Sequence, residues 1–247
     1  MDAEFYQPKY QYLDSLIEKK KSDIGNLFET NTGFTFSSSI FSEQGEYPVI
    51  KMTQIPGNGF VDIQNAEYVS KSYFEENFEN FFIQKDDIVV ALTGATVGKS
   101  GMYIDKEKSL LNQRVFSARD KTKNISTKFL LPLFLSKIFR DWVYRNSLGG
   151  GQGNVTPDSI KQFPVLNFSD SFVRKVETLV ATAIGAYFQS KNLYPEAEKE
   201  LLERMEWHKI ATNQQLIYVA TSKDIRTDER LDAEFYQPKF KNLKKHL

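Results

Sequence analysis

The octapeptide DAEFYQPK occurs twice, at Asp2–Lys9 and at Asp232–Lys239, an offset of 230 residues in a chain of 247. Eight identical residues in a row do not recur by chance at this length. The likeness continues past the shared proline, where Tyr10, Leu13 and Ile17 are answered by Phe240, Leu243 and Leu247. Between these apolar positions the copies diverge: Gln11 against Lys241, Asp14 against Lys244, Ser15 against Lys245. Spacings of three and four hold one helical face apolar while the other drifts, as expected if both copies dock on similar grooves. A proline just inside the start suits a helix N-terminus. The pattern predicts a chain that begins a unit, completes it and begins the next, which is half of a duplicated protein.

Composition limits what such a unit can do. The chain is 40% hydrophobic and 14% aromatic, ample for a core, and it has no cysteine. A disulfide framework and a thiolate metal site are therefore excluded. Only His208 and His246 are present, which speaks against histidine catalysis or zinc. No apolar run reaches membrane-spanning length and the start lacks a signal-peptide core, so the expected location is cytoplasmic, with no membrane partner. The net charge of zero hides a segregation: residues 24–94 carry 3 basic and 10 acidic residues, residues 95–165 carry 12 and 5. The second block fits nucleic acid, or alternatively helices with solvated basic faces.

Four regions are predicted: an N-terminal amphipathic helix (1–23), a mainly β domain with a few helices (24–167), a long helix (168–208), and a connector with the second repeat copy (209–247). The fold class is α+β. Within the β region, Tyr47–Met52 reads as a strand entered through a proline, and Ile88–Leu92 as a strand buried on both faces. Met102–Ile104 and Val115–Phe116 read as further strands. Residues 127–146 fit one helix packing Leu130, Phe134, Ile138 and Trp142, with Pro132 in its first turn. The Gly-rich stretch 148–154 leads to Thr156–Pro157, an N-cap and first-turn proline. A Gly-rich loop running into a helix start is either a backbone platform for a phosphate or a tight corner. From Asp170 onward Val173, Val180, Tyr187, Tyr194 and Leu201 recur every seven residues, with Val176, Ala183 and Ala197 as a second seam. The phase runs through Pro195, favouring one long kinked helix with a coiled-coil partner. Residues 209–230 read as polar and connecting, apart from a strand-like 216–219.

Several catalytic motifs are excluded by spacing. GATVGKS at Gly94–Ser100 has three residues between its glycines where a phosphate-binding P-loop needs four, and a strand-like segment follows where a helix is required. PDSIK at Pro157–Lys161 lacks the second acidic-x-Lys element of a nuclease. No Asn/Asp-Pro-Pro-aromatic or GxGxxG motif is present. The glutamates from Glu196 to Glu206 form a solvated helix face. What remains is a set of small, polar and basic residues at strand ends and loops: Thr93, Thr96, Lys99, Ser100, Asn112, Gln113, Arg114, Gln152 and Asn154. Asn, Gln and Arg can read base edges bidentately, and Lys and Thr suit phosphates.

Taken together, ALTGATVGKSGMY (Ala91–Tyr103), LNQRVF (Leu111–Phe116), GGGQGNVTPDSIKQFPV (Gly149–Val165) and RLDAEFYQPKF (Arg230–Phe240) with its N-terminal twin resemble the DNA-specificity (S) subunit of Type I restriction-modification systems. The resemblance spans nearly the whole chain in the family's order. It implies target recognition domains that each read half of a bipartite site on double-stranded DNA, separated by helices that pack as an antiparallel coiled coil. It also implies a subunit that is not an enzyme and carries no cofactor. Such a subunit positions methyltransferase (M) subunits, which modify adenine with S-adenosylmethionine, and a restriction (R) subunit. This chain departs from the pattern in having one recognition domain, so it resembles a half-length S subunit.

A half-unit ending in a copy of its own beginning predicts a homodimer on an inverted, interrupted palindrome. Its interface is expected at Val173, Val180, Tyr187, Tyr194, Leu201, Phe235 and Tyr236. Residues 170–193 as straight helix span about 36 Å, roughly one DNA turn. Two other functions stay open: the recognition end of a fused methyltransferase-nuclease, and a non-DNA module whose basic block docks an acidic partner.

Overall fold

The computed structural model describes residues 3–73, 78–121, 125–147, 153–205, 219, 221–228 and 232–237. The chain divides into two compact units, Met1–Ile184 and Gly185–Leu247.

In the first unit, the leading repeat copy forms 3-10 turns at Ala3–Tyr6 and Pro8–Tyr10, then α1 (Tyr12–Glu18). Tyr10 and Leu13 are buried while Ile17 stays exposed. There follow β1 (Ser22–Asp23), α2 (Ile24–Leu27), β2 (Phe28–Thr32), β3 (Tyr47–Ile50), β4 (Gly59–Phe60) and β5 (Glu67–Val69). The β region continues with β6 (Phe82–Ile83), β7 (Ile88–Ala91), β8 (Ser100–Met102), β9 (Ser109–Leu111) and β10 (Val115–Asp120). Helices α3 (Thr127–Leu135), α4 (Lys137–Arg145) and α5 (Pro157–Lys161), strand β11 (Pro164–Val165) and helix α6 (Asp170–Arg204) complete the order before α7 (Ser222–Asp228).

Two sheets share one core. The five-stranded sheet has the order β2-β10-β7-β8-β4 and the four-stranded sheet β5-β3-β9-β6; all pairings are antiparallel except β4–β8 and β3–β9. Alternation places Val89, Ala91 and Val115 of the first sheet against Ile50, Ile83 and Leu111 of the second, around Tyr103. The other face of β7 is covered by α3, which lies across β4, β7, β8 and β10. A strand with both faces covered reads as the continuous apolar run found at 88–91. The outer face of the four-stranded sheet buries Val49, Val69 and Leu110, with Phe82 beside them on β6 and Phe36 and Phe41 packed against them. Tyr103 hydroxyl donates to the Glu107 carbonyl at 2.8 Å, leaving Ser109 Oγ to donate to it at 2.6 Å. Burial pushes this phenol up to about 12. The small sheet β1–β11 ties the entry of the domain to its exit, with Ser22 opposite Val165.

The predicted single helix over 127–146 is two. Ser136, at φ −70° and ψ 158°, ends α3 and N-caps α4, its hydroxyl accepting from Phe139 N at 3.3 Å. The break shifts the phase, so Ile138 is 37% exposed and Phe139 takes the buried place, stacked on Phe134 at 4.2 Å. Pro132 is the sixth residue of α3, beyond the first turn. Thr156 caps α5 as predicted, accepting from Ser159 N at 3.1 Å. The strand predicted at 102–104 starts two residues earlier, as β8.

Helix α6 runs 35 residues through Pro195, about 52 Å at ~1.5 Å per residue. Its start is anchored on the domain: Phe168 and Phe172 meet the Phe129 ring, and Glu177 accepts from the Ser126 N–H and hydroxyl ahead of α3. Of the heptad residues, Val173 is buried, Val180 and Tyr187 are half-buried, and Tyr194 and Leu201 are exposed. Ile184, rather than the expected Ala183, lies on the half-buried side.

In the second unit, α7 and a 3-10 turn at Ala233–Tyr236 are described. That turn matches the one formed by the first repeat copy. Phe235 is half-buried and Tyr236 buried. Of the strand-like segment 216–219, residues 216–218 lie outside the described residues, as do 238–247, and Val219 is exposed and in no strand.

Candidate nucleic-acid interface

The strand pairings bring three distant stretches to one end of the two sheets. Strands β2, β3, β7 and β9 finish there and β10 begins there, since Ala91 pairs with Val115, Thr32 with Phe116, and Ile50 with Leu111. The loops beyond are laced by backbone bonds. Leu92 N donates to Arg114 O and Val155 N to Leu92 O, both at 2.9 Å, while Gly94 N donates to Gly153 O at 3.0 Å. Thr93 and Asn154 form a bridge. Residues 93–99, 112–114 and 153–154 therefore form one surface, although they are far apart in sequence.

Residues 92–99 form the connection of a β-hairpin. Gly98 N returns to Ala91 O and Ala91 N to Lys99 O, both at 2.9 Å, around a 3-10 turn at Gly94–Thr96. The stretch is no P-loop, because antiparallel β8 follows it. Gly94 (φ +73°) and Gly98 (φ +77°) occupy left-handed backbone that side chains disfavour, and Gly98 also lies against Val143 of α4. Thr93 Oγ1 donates to Met52 Sδ at 3.1 Å and Thr96 Oγ1 to Thr93 O at 3.3 Å. Lys99 is exposed. Ser100 does not join the surface: it is buried, its hydroxyl donating to Gly98 O at 3.1 Å.

In the second loop, Asn112 Oδ1 accepts from Arg114 N at 3.2 Å, which fixes the turn and leaves the Arg114 side chain exposed. Gln113 N donates to Phe34 O at 3.0 Å, and Gln113 Oε1 is buried without a hydrogen-bond partner. Asn154 is exposed. Gln152 lies outside the described residues.

Ion pairs divide the basic block. Arg119 grips the buried Asp87 with Nε at 2.9 Å and a terminal nitrogen at 2.6 Å, Lys128 meets Asp86 at 3.0 Å, and Arg145 meets Asp14 at 2.7 Å. Lys137–Asp141 and Lys161–Asp158 are also paired. Among the described residues of the block, Lys99, Lys106, Lys108, Arg114, Lys121 and Arg140 have no such acidic partner, and of these Lys99 and Arg114 belong to the laced loops. Lys99 and Arg140 line the same cleft of about 230 Å³ with Gly57, Leu135 and Tyr144. Arg140 and Tyr144 are additions from the structure. On an amphipathic helix, exposed residues carry no sequence signal that separates them from ordinary solvated ones. Among the described residues no acidic or histidine cluster could hold a metal, and no helix is long and apolar enough to cross a membrane.

Residues 17–166 match the model of the Type I restriction modification DNA specificity domain, and the chain belongs to that family. No curated protein sequence matches it. Among solved structures it is similar to the S subunit of a Type I restriction-modification system from M. genitalium, with TM-score 0.53 and 15% identity, over 78% of this chain and 46% of that one. It is similar also to the type IIG restriction endonuclease BpuSI, with TM-score 0.52 and 9% identity, over 72% of this chain and 28% of that one. The HsdS subunit from Thermoanaerobacter tengcongensis aligns with TM-score 0.47 and 11% identity, over 78% and 47%. The chain thus spans about half the length of the S subunits it matches.

Proposed function

We propose that this chain is the sequence-reading subunit of a Type I restriction-modification system. It binds double-stranded DNA through the 93–99, 112–114 and 153–154 loops and positions methyltransferase and restriction subunits. The observation that carries this reading is the convergence of those loops at one end of the sheets, with Lys99 and Arg114 unneutralised by acids among the described residues. Lys99, and Arg140 across the cleft, suit phosphate contacts, which position without reading. Arg114 and Asn154 are exposed and have donor and acceptor patterns that distinguish base edges, while Gln113, with its Oε1 buried, has only its amide N–H groups to offer. A homodimer, paired through the seam of α6 from Val180 to Leu201 (Val173, expected in that seam, is buried within its own chain), would read an inverted, interrupted palindrome.

Binding to randomised DNA pools would yield a cognate site, and then variants are compared on cognate and scrambled duplexes. Lys99→Ala weakens both equally and flattens the salt dependence by about one unit of slope. Gln113→Ala or Arg114→Ala relaxes discrimination at one base pair, worth about 1–3 kcal/mol. Equal losses on both duplexes for all three variants would sink the assignment. Light scattering with and without residues 231–247 tests the dimer.

The likeness to BpuSI supports a second reading, the recognition end of a fused endonuclease. Co-purification with a separate methyltransferase subunit separates the two.

A further inference from the structure

The two repeat copies form matching 3-10 turns at Ala3–Tyr6 and Ala233–Tyr236, and their sequences differ at the positions by which the first copy docks. The first copy is held by α4. Phe5 lies under the Arg145 guanidinium, 4.2 Å from its centre to the ring; Asp14 pairs with the same guanidinium at 2.7 Å; and Tyr12 hydroxyl donates to Asp141 at 2.6 Å. Arg145 is 7% exposed, and its Nε and second terminal nitrogen have no hydrogen-bond partner. The Asp14 carboxylate is therefore the one acid that the buried cation meets among the described residues. Phe5, Tyr10 and Leu13 supply the apolar part of the docking.

The second copy keeps the apolar part and loses both polar contacts. Phe235, Phe240 and Leu243 stand where Phe5, Tyr10 and Leu13 stand in the first copy. At the place of Tyr12 it has Asn242, too short to reach as the phenol does, and at the place of Asp14 it has Lys244. By its apolar residues the second copy's sequence matches the first; by charge it would set an ammonium against a buried guanidinium that already lacks acceptors. The described turns show the same divergence of environment: Tyr6 is 60% exposed and its counterpart Tyr236 is 3% exposed.

We propose that the α4 surface bearing Asp141 and Arg145 is a charge-coded receptor for the N-terminal copy, and that Lys244 closes it to the C-terminal copy. Two near-identical segments then cannot exchange places, within one chain or between two. This inference does not depend on the DNA-reading assignment, and its test involves no DNA.

The experiment frees the receptor in the full-length chain with Asp14→Lys, or with Asp14→Asn if the charge reversal proves too disruptive. Hydrogen exchange over residues 3–18 should quicken about tenfold or more, with β7 still protected. Labelled peptides of residues 2–19 and 232–247 are then titrated against that variant by fluorescence anisotropy. The 2–19 peptide is expected to bind, and the 232–247 peptide to bind at least about tenfold more weakly. Lys244→Asp in the second peptide should recover most of the difference. Equal binding of the two native peptides, no binding of either, or no gain from Lys244→Asp overturns the proposal.

Discussion

Gly33 is where fold and candidate reading surface depend on the same atom, or on its absence. It follows β2, and a Cβ built on it would lie 2.1 Å from the Leu111 carbonyl oxygen, 2.2 Å from the carbonyl carbon and 2.4 Å from Asn112 O. All three are backbone, so no side chain can swing aside. A carbon–oxygen contact is comfortable only near ~3.3 Å, so Gly33→Ala must part the two segments by about 1 Å. Three bonds resist that parting: Gly33 N to Val115 O at 3.3 Å, Phe34 N to Leu111 O at 2.9 Å, and Gln113 N to Phe34 O at 3.0 Å. Overpacking costs about 1–3 kcal/mol and a stretched or lost backbone bond about 1 kcal/mol more, so the variant should lose about 3 kcal/mol. At ~2–4 °C per kcal/mol for a domain of this size, thermal unfolding followed by circular dichroism should shift down by about 6–12 °C. The displaced segment is 111–113, so discrimination between cognate and scrambled DNA should fall further than affinity for scrambled DNA. Gly94→Ala is the control: φ is +73° with open space around it, and the cost is only about 1 kcal/mol. A Gly33→Ala protein melting within about 2 °C of the parent would refute the close-approach argument.

Arg119→Ala leaves the buried Asp87 carboxylate without its main partner and should cost about 3–5 kcal/mol, read by denaturant unfolding. Burial already pushes Asp87 upward against the opposing pull of Arg119. In the variant the folded state therefore takes up a proton before the unfolded chain does, and the deficit should shrink from pH 7 to pH 5. An unchanged deficit would mean that Asp87 finds another donor. At the first repeat copy, burial acts to raise Asp141, but hydrogen bonds from Lys137 and Tyr12 outweigh it and hold the carboxyl below its ordinary value. A depressed carboxyl stabilises above its unfolded value and loses that contribution as pH falls through the folded one. Exchange protection of residues 3–18 should thus be flat from pH 5 to 8 and weaken only below about pH 4.

The sequence made the elements with long or unbroken patterns legible. The run Ile88–Leu92 became a strand covered on both faces, and the seven-residue period from Val173 became a single helix that passes Pro195. Short elements with distant partners were not legible. Strands β4 and β9 have two and three residues, and their parallel neighbours are set by sequence-remote packing rather than by local propensity. The break at Ser136 was hidden for a different reason. An apolar spacing continuous from Leu130 to Trp142 survives a one-residue slip when Ile138 and Phe139 are both apolar, so either can serve as the buried one. At the candidate interface, residues after strand ends stood out because small and polar types cluster there. Ser100 shared that composition but falls on the strand itself, where alternation turns it inward.

The segregated charge admits one physical account that includes both of its readings. Acids of the 24–94 block meet cations of the 95–165 block inside the domain: Asp87 with Arg119 and Asp86 with Lys128. Asp14 takes Arg145, while Asp141 and Asp158 hold Lys137 and Lys161 within the basic block itself. Five of the block's twelve cations are thereby committed to structure, so its net charge alone overstates what a polyanion would meet. What matters for binding is where the uncommitted cations lie. Lys99 and Arg114 belong to the laced loops at the sheet ends, and Arg140 shares a cleft with Lys99. A neutral chain can thus present a locally cationic face where cations without an acidic partner gather. The same placement explains why neutralising Lys99 should act on all DNA alike while Arg114, held at the tip of a fixed turn, can act on one base pair.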